Sequence, residues 1–194
     1  SGELSLLDLK INQLKSEGCF DHIYISSDSL MVKTVAEKHN VEFLLRDREM
    51  CEAHVPWSKV VNHIMDTVPV ESTVVWALTT APLFSRFNDA LKQYNKSNVH
   101  DSLIGVLPTK AFFVNKFGKG INFNPGQWHP YSQELETYYE VTGSVYIGKK
   151  ADMKKWGYWF GTKPLLFEVS NIESIDVDTP DDYLTAQKLY EAQK

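Results

Sequence analysis

Thr73-Val74-Val75-Trp76-Ala77-Leu78-Thr79-Thr80-Ala81-Pro82 is the stretch on which the fold turns. Six residues, mostly apolar or β-branched, run without a charge and stop at a polar turn closed by proline, as a strand covered on both faces does. It predicts a central strand of a parallel sheet. Ahead of it, Trp57, Val60, Val61, Ile64 and Val68 mark one face of a helix, and residues 41–46 read as another strand. Val32, Val35 and Ala36 mark a further helix, preceded by a strand at 22–26 and an opening helix on Leu7, Ile11 and Leu14 that stops at Gly18. Beyond Pro82 come a helix at 85–95 and a strand at 102–107. Strands and helices in strict alternation predict an α/β, Rossmann-like, three-layer α/β/α domain with a mainly parallel central sheet. Ligands of such sheets sit beyond the carboxyl ends of the strands, here 26–29, 46–49 and 79–82.

The alternation breaks at 111–138. Gly118, Gly120, Pro125, Gly126 and Pro130 punctuate short aromatic pieces, which predicts a lid, a binding arm or a dimerisation insert over 111–136. Strands at 143–149 and 164–170 and a closing helix at 181–193 complete one domain over 1–194. The size, 194 residues with 43% hydrophobic and 23% charged, suits one sizeable core.

Composition narrows the chemistry. A net charge of −5 offers no basic stripe for a nucleic-acid backbone, so any nucleotide bound is expected to be small. Cys19 and Cys51 lack C-x-x-C spacing, and six scattered histidines lack H-E-x-x-H spacing, which argues against zinc and fits a reducing cytoplasm. No apolar run approaches the roughly 20 residues of a membrane-spanning helix, and no signal peptide is evident, so a membrane partner is not expected.

The sharpest local feature is Ile175-Asp176-Val177-Asp178-Thr179-Pro180-Asp181-Asp182. On an extended strand Asp176 and Asp178 share a side, a costly pairing unless a cation such as Mg2+ neutralises it. The same residues also describe a helix start, with Thr179 as N-cap, Pro180 at the first position and acidic residues in the first turn. The cap accounts for 179–182; it does not account for Asp176. Ser26, Ser27, Asp28 and Ser29 could hold a ligand hydroxyl or phosphate at a helix N-terminus or simply cap it. Arg46 could pair a phosphate or make a surface ion pair.

In order, these segments resemble the acylneuraminate cytidylyltransferase family, whose fold is that of nucleotide-sugar enzymes of the glycosyltransferase-A type. Gly2 through Asp21 is similar to the family's first helix after its G-K-P-L turn, and Ile25-Ser26-Ser27-Asp28-Ser29 to its V-S-T-D-S strand end. Leu45 to Met50 is similar to R-P-x-x-L, Thr80-Ala81-Pro82-Leu83 to T-S-P-L, and Asp101-Ser102 to D-S. Asn122 to Pro125, Ser132-Gln133-Glu134 and Thr142 to Ile147 resemble N-x-N-P, S-Q-D and N-G-x-x-Y-I, and residues 175–182 resemble I-D-I-D-T-x-x-D.

The resemblance implies transfer of CMP from CTP to a nonulosonic, sialic-acid-like nine-carbon sugar, with release of pyrophosphate. It implies Asp176 and Asp178 as the catalytic pair holding Mg2+. Ser26, Asp28, Arg46 and Thr80 would face the nucleotide, and Gln133, Thr142 and Tyr146 the sugar. It implies a homodimer built through the 111–136 insert. It also implies a strand and a loop of the form R-x-G-S-K-x-x-x-x-K-N ahead of Gly2; nothing of that form stands in Ser1-Gly2, and those residues are expected upstream of Ser1. Leu78-Thr79 stands where the family has Q-P, and His129-Pro130-Tyr131 where it has an R-P-R run, which bears on which sugar is taken. The alternatives are activation of another sugar, such as 3-deoxy-octulosonate, and a noncatalytic nucleotide- or sugar-binding module without the phosphate loop.

Overall fold

The computed structural model describes residues 5–193. Helix α1 (Leu6–Glu17) opens with a reciprocal cap: the Asp8 N–H donates to Ser5 Oγ at 3.1 Å, and the Ser5 N–H donates to the Asp8 carboxylate at 3.2 Å. It closes at Gly18, whose φ of 61° an L side chain would resist. Then follow β1 (Tyr24–Ser27), α2 (Leu30–Lys38), β2 (Glu42–Leu45), α3 (Trp57–Thr67), β3 (Thr73–Trp76), α4 (Phe87–Lys96), β4 (Ser102–Thr109), β5 (Tyr138–Lys149), α5 (Lys150–Trp156), β6 (Pro164–Glu168) and α6 (Pro180–Ala192).

The α/β class and the alternation hold, and the sheet is mixed. β1 and β2 pair in parallel as one unit. The other four strands lie in the order β3-β5-β4-β6, with β4 parallel to β6 but β5 antiparallel to both β3 and β4. The strand expected to be central and parallel, β3, is instead an end strand whose one partner among the described residues is antiparallel β5. Its unbroken apolar run reports cover on both faces, not the identity of its ladder neighbours.

That cover is explicit. On one side of the sheet Phe84, Phe87, Leu103, Val145, Ile147 and Phe167 form one buried cluster. On the other, Val60, Val61, Ile64 and Met65 of α3 pack with Met153 of α5. The alternation of β5 sends Val145 and Ile147 to one face and Tyr146 to the other. Burying a side chain of the size of Phe84 or Phe87, both fully enclosed, contributes about 2–3 kcal/mol.

Between β1 and β3 the sheet is open. A cavity of about 660 Å³ runs there, lined by Tyr24 and Ser26 on one side and Thr73 to Trp76 on the other, with Met65 and Leu91 among the residues that cover it. β4 and β5 extend past the sheet as a two-stranded stalk, from Leu107 opposite Glu140 to Thr109 opposite Tyr138. The stalk carries the irregular segment, which holds a lone bridge between Val114 and Gly120 and a short 3-10 turn at Ser132–Glu134.

Candidate functional site

The carboxyl ends of β1, β2 and β3 form a rim. Arg46, just past β2, is fastened to β1: its Nη2 donates to Ser26 O at 2.5 Å and its Nε to Ser26 Oγ at 3.3 Å. Ser26 and Arg46 thus act as one unit at the mouth of the cavity, which both line together with Trp76 and Ala77. Exposed Asp28 shares a hollow of about 380 Å³ with Arg46, Met50, Glu52 and Trp57. Ser29 stands at the start of α2 without a side-chain cap bond; its N–H turns back to Ser27 Oγ at 3.2 Å. The anion-binding and capping readings of 26–29 therefore meet in a turn whose hydroxyl is already engaged.

Past β3 the chain turns through Leu78, Thr79 and Thr80 and takes up the acidic segment. The Val177 N–H donates to Thr80 O at 2.7 Å. Residues 175–178 form no ladder, so the strand assumed for them is absent, and the Val177 bond ties them to the turn after β3. Their alternation persists: Ile175 and Val177 are half-buried, Asp176 and Asp178 exposed. Gly143 of β5 lies beside Asp176: a Cβ there would meet Asp176 Cγ at 3.8 Å and Leu78 Cδ1 at 3.4 Å, both ordinary contacts. Thr179 caps α6 as its spacing predicts, its N–H donating to Asp182 Oδ2 at 2.9 Å. The cap uses the side chains of Thr179 and Asp182 and leaves the carboxylates of Asp176 and Asp178 outside it.

No group of three or more His, Cys, Asp or Glu side chains converges among the described residues. Two accessible carboxylates on alternate residues are nevertheless what Mg2+ takes from a protein when phosphate oxygens and water complete its shell. The donor set fits a nucleotide-borne cation and not an all-protein cage.

The residues assigned to the sugar separate. Gln133 is exposed on the stalked segment, where its carbonyl accepts from Lys110 Nζ at 2.8 Å. Thr142 is buried and donates to Ser144 Oγ at 3.0 Å, which in turn donates to Glu173 O at 2.9 Å. Tyr146 is 4% exposed and stacks on Trp159 at 4.6 Å; burial, with the charges of Tyr158 and Asp176 adding, pushes its hydroxyl up to about 12. Trp159 is the hub of a packed aromatic group with Trp57 and Trp76. Sequence reasoning overlooked Lys10, whose position three after Leu7 and four before Leu14 was the available signal that it lies on a buried helix face.

The fold is that of the cytidylyltransferases. A 4-diphosphocytidyl-2C-methyl-D-erythritol synthase from Anaerococcus prevotii superposes with a TM-score of 0.69 at 11% identity, covering 96% of this chain and 89% of that one. A CMP:2-keto-3-deoxy-manno-octonic acid synthetase complexed with CTP gives 0.68 at 9%, covering 97% and 88%. Curated relatives narrow the class. The chain is 24% identical over 198 residues to a pseudaminic acid cytidylyltransferase of Campylobacter jejuni, across 95% of this chain and 84% of the relative. It is 28% identical over 203 residues to a CMP-N,N'-diacetyllegionaminic acid synthase of Legionella pneumophila, across 89% and 79%. No family model matches. The resemblance read from the ordered motifs is thus borne out along nearly the whole chain, which is a homologue of these nucleotidyltransferases.

Proposed function

We propose that this protein transfers CMP from CTP to a nonulosonic acid and releases pyrophosphate. The observation that carries the reading is the acidic pair at the rim, docked on Thr80 in a chain whose ordered motifs and relatives are those of nonulosonic acid cytidylyltransferases. Asp176 and Asp178 would hold Mg2+. When bound, the cation would draw charge from the α-phosphate oxygens and ease departure of pyrophosphate. Arg46, fixed by Ser26, places a positive charge at the mouth of the cavity, Asp28 shares its hollow, and Thr80 would face the nucleotide from the turn after β3. The chain's own contribution is to hold two substrates in line.

The open sheet between β1 and β3 supports the expectation of a further strand and phosphate-holding loop. Two strand edges there have no ladder partner among the described residues, and an extended segment between them would satisfy backbone groups on both sides. Its end would emerge beside Arg46 and Ala77. The reading also includes a homodimer formed through the stalked segment, and a cytoplasmic setting that suits two free cysteines. No helix among the described residues is long and apolar enough to cross a membrane.

The test is direct. Full-length protein with CTP, Mg2+ and a panel of acidic sugars should release pyrophosphate with a nonulosonic acid. Release with 3-deoxy-octulosonate alone would move the substrate to the shorter sugar, and no release with any member would defeat the transferase reading.

A further inference from the structure

Lys10 of α1 is 2% exposed, an unusual place for an ammonium group. Its Nζ donates to Ala81 O at 2.8 Å and to Phe84 O at 2.8 Å, and lies 5.0 Å from the centre of the Phe87 ring. One turn on, Gln13 Nε2 donates to Pro82 O at 2.7 Å. Two side chains of α1 therefore grip three carbonyls of one short irregular segment. That segment has neither helix nor ladder to satisfy its acceptors, so the grip fixes its path.

Thr80, immediately before the gripped residues, accepts the Val177 N–H at 2.7 Å. Val177 sits between Asp176 and Asp178. The connection is continuous: Lys10 holds 81 and 84, the same segment presents Thr80 O, and Thr80 O anchors the residue flanked by both carboxylates. A methionine of similar length would fill the Lys10 site at lower desolvation cost, as burial alone pushes the amino group down to about 7. What lysine adds is the pair of hydrogen bonds.

We propose that Lys10 is a positioning residue for the metal-binding carboxylates, setting the 79–84 segment from which the Asp176–Asp178 segment hangs. It touches neither substrate nor metal. The inference rests on the assignment of the metal to Asp176 and Asp178, and its test separates the two.

Mn2+ is titrated into full-length protein with CTP and followed by electron paramagnetic resonance, for wild type, Lys10→Met and Asp178→Asn. Substitutions behind a metal's direct ligands typically weaken binding about 10–100-fold, so Lys10→Met should bind Mn2+ about tenfold more weakly. Its far-ultraviolet spectrum and its affinity for CTP without metal should match wild type. A lower melting temperature with wild-type Mn2+ affinity would reduce Lys10 to a structural residue and overturn the proposal. Unchanged Mn2+ binding in Asp178→Asn would instead remove the metal assignment, and the Lys10 proposal with it. Lys10→Gln, which keeps one donor in the site, carries the test where Lys10→Met does not fold; it should shift Mn2+ affinity in the same direction, and no shift overturns the proposal.

Discussion

Asp178 and its neighbours divide their labour within five residues. The carboxylate of Asp178 is free of the α6 cap, while its N–H contributes to that cap by donating to Asp182 Oδ2 at 3.3 Å. Asp178→Ala keeps the N–H and removes the carboxylate. Changes merely behind a metal ligand already cost about 10–100-fold, so under the proposed Mg2+ role the loss of this carboxylate should cost turnover at least that much. The melting temperature should stay put, and steady-state pyrophosphate release beside a thermal melt checks both halves. Asp8 makes a second residue-scale case. Hydrogen bonds from Ser5, His39 Nε2 (2.6 Å) and Lys38 Nζ (2.9 Å) hold its carboxyl well below the usual carboxylate range. A depressed folded pKa means that stability is fully present above the unfolded value of about 3.9 and drains away as pH falls below it. Asp8→Asn should therefore lose about 1–2 kcal/mol at pH 7 and less at pH 3. Urea melts at the two pH values measure this; equal losses would mean the tie carries no charge-dependent stability. The Ser5-to-Asp8 cap spacing is written locally, but Lys38 and His39, 30 and 31 residues away, meet Asp8 only because α2 packs beside α1.

Elements with their own start and stop signals formed where local chemistry puts them. Thr179-Pro180-Asp181-Asp182 starts α6, and Gly18 ends α1. Thr179→Ala should cost about 1 kcal/mol in a denaturant titration, since it leaves an end N–H of α6 without its side-chain acceptor. A loss near zero would mean that water replaces the hydroxyl. Elements whose signals lie in their partners were less legible. α5 carries no boundary signal of its own: its seven residues follow β5 without a turn, and Lys150 at its start is held by distant groups, donating to Val68 O at 2.9 Å and pairing with Glu71 at 3.1 Å. The Asp176–Asp178 segment carries the pattern of a strand without being one. Its alternation is genuine, but no neighbouring edge runs alongside to complete a ladder.

At the scale of the molecule, the β4–β5 stalk lifts an apolar surface into water: Phe117 is 82% and Trp128 89% exposed, with Ile121 and Tyr131 exposed beside them. The proposed homodimer would cover these side chains, and a stable interface buries about 1,200–2,000 Å² in total. Sedimentation at micromolar concentration should give a dimer, and Trp128→Ser with Phe117→Ser should shift it to monomer without unfolding; a wild-type monomer would sink the homodimer. The sequence by itself determined the α/β class, nearly every helix and strand, the α6 cap and the acidic pair, because periodicity, caps and breakers act between residues a few positions apart. Only the tertiary structure decided that β5 runs antiparallel and makes the sheet mixed, that the sheet opens between β1 and β3, that Thr142 and Tyr146 are enclosed, and that Lys10 grips a loop 71 residues away. Those outcomes depend on which surfaces meet when the layers close, and no local pattern carries that information.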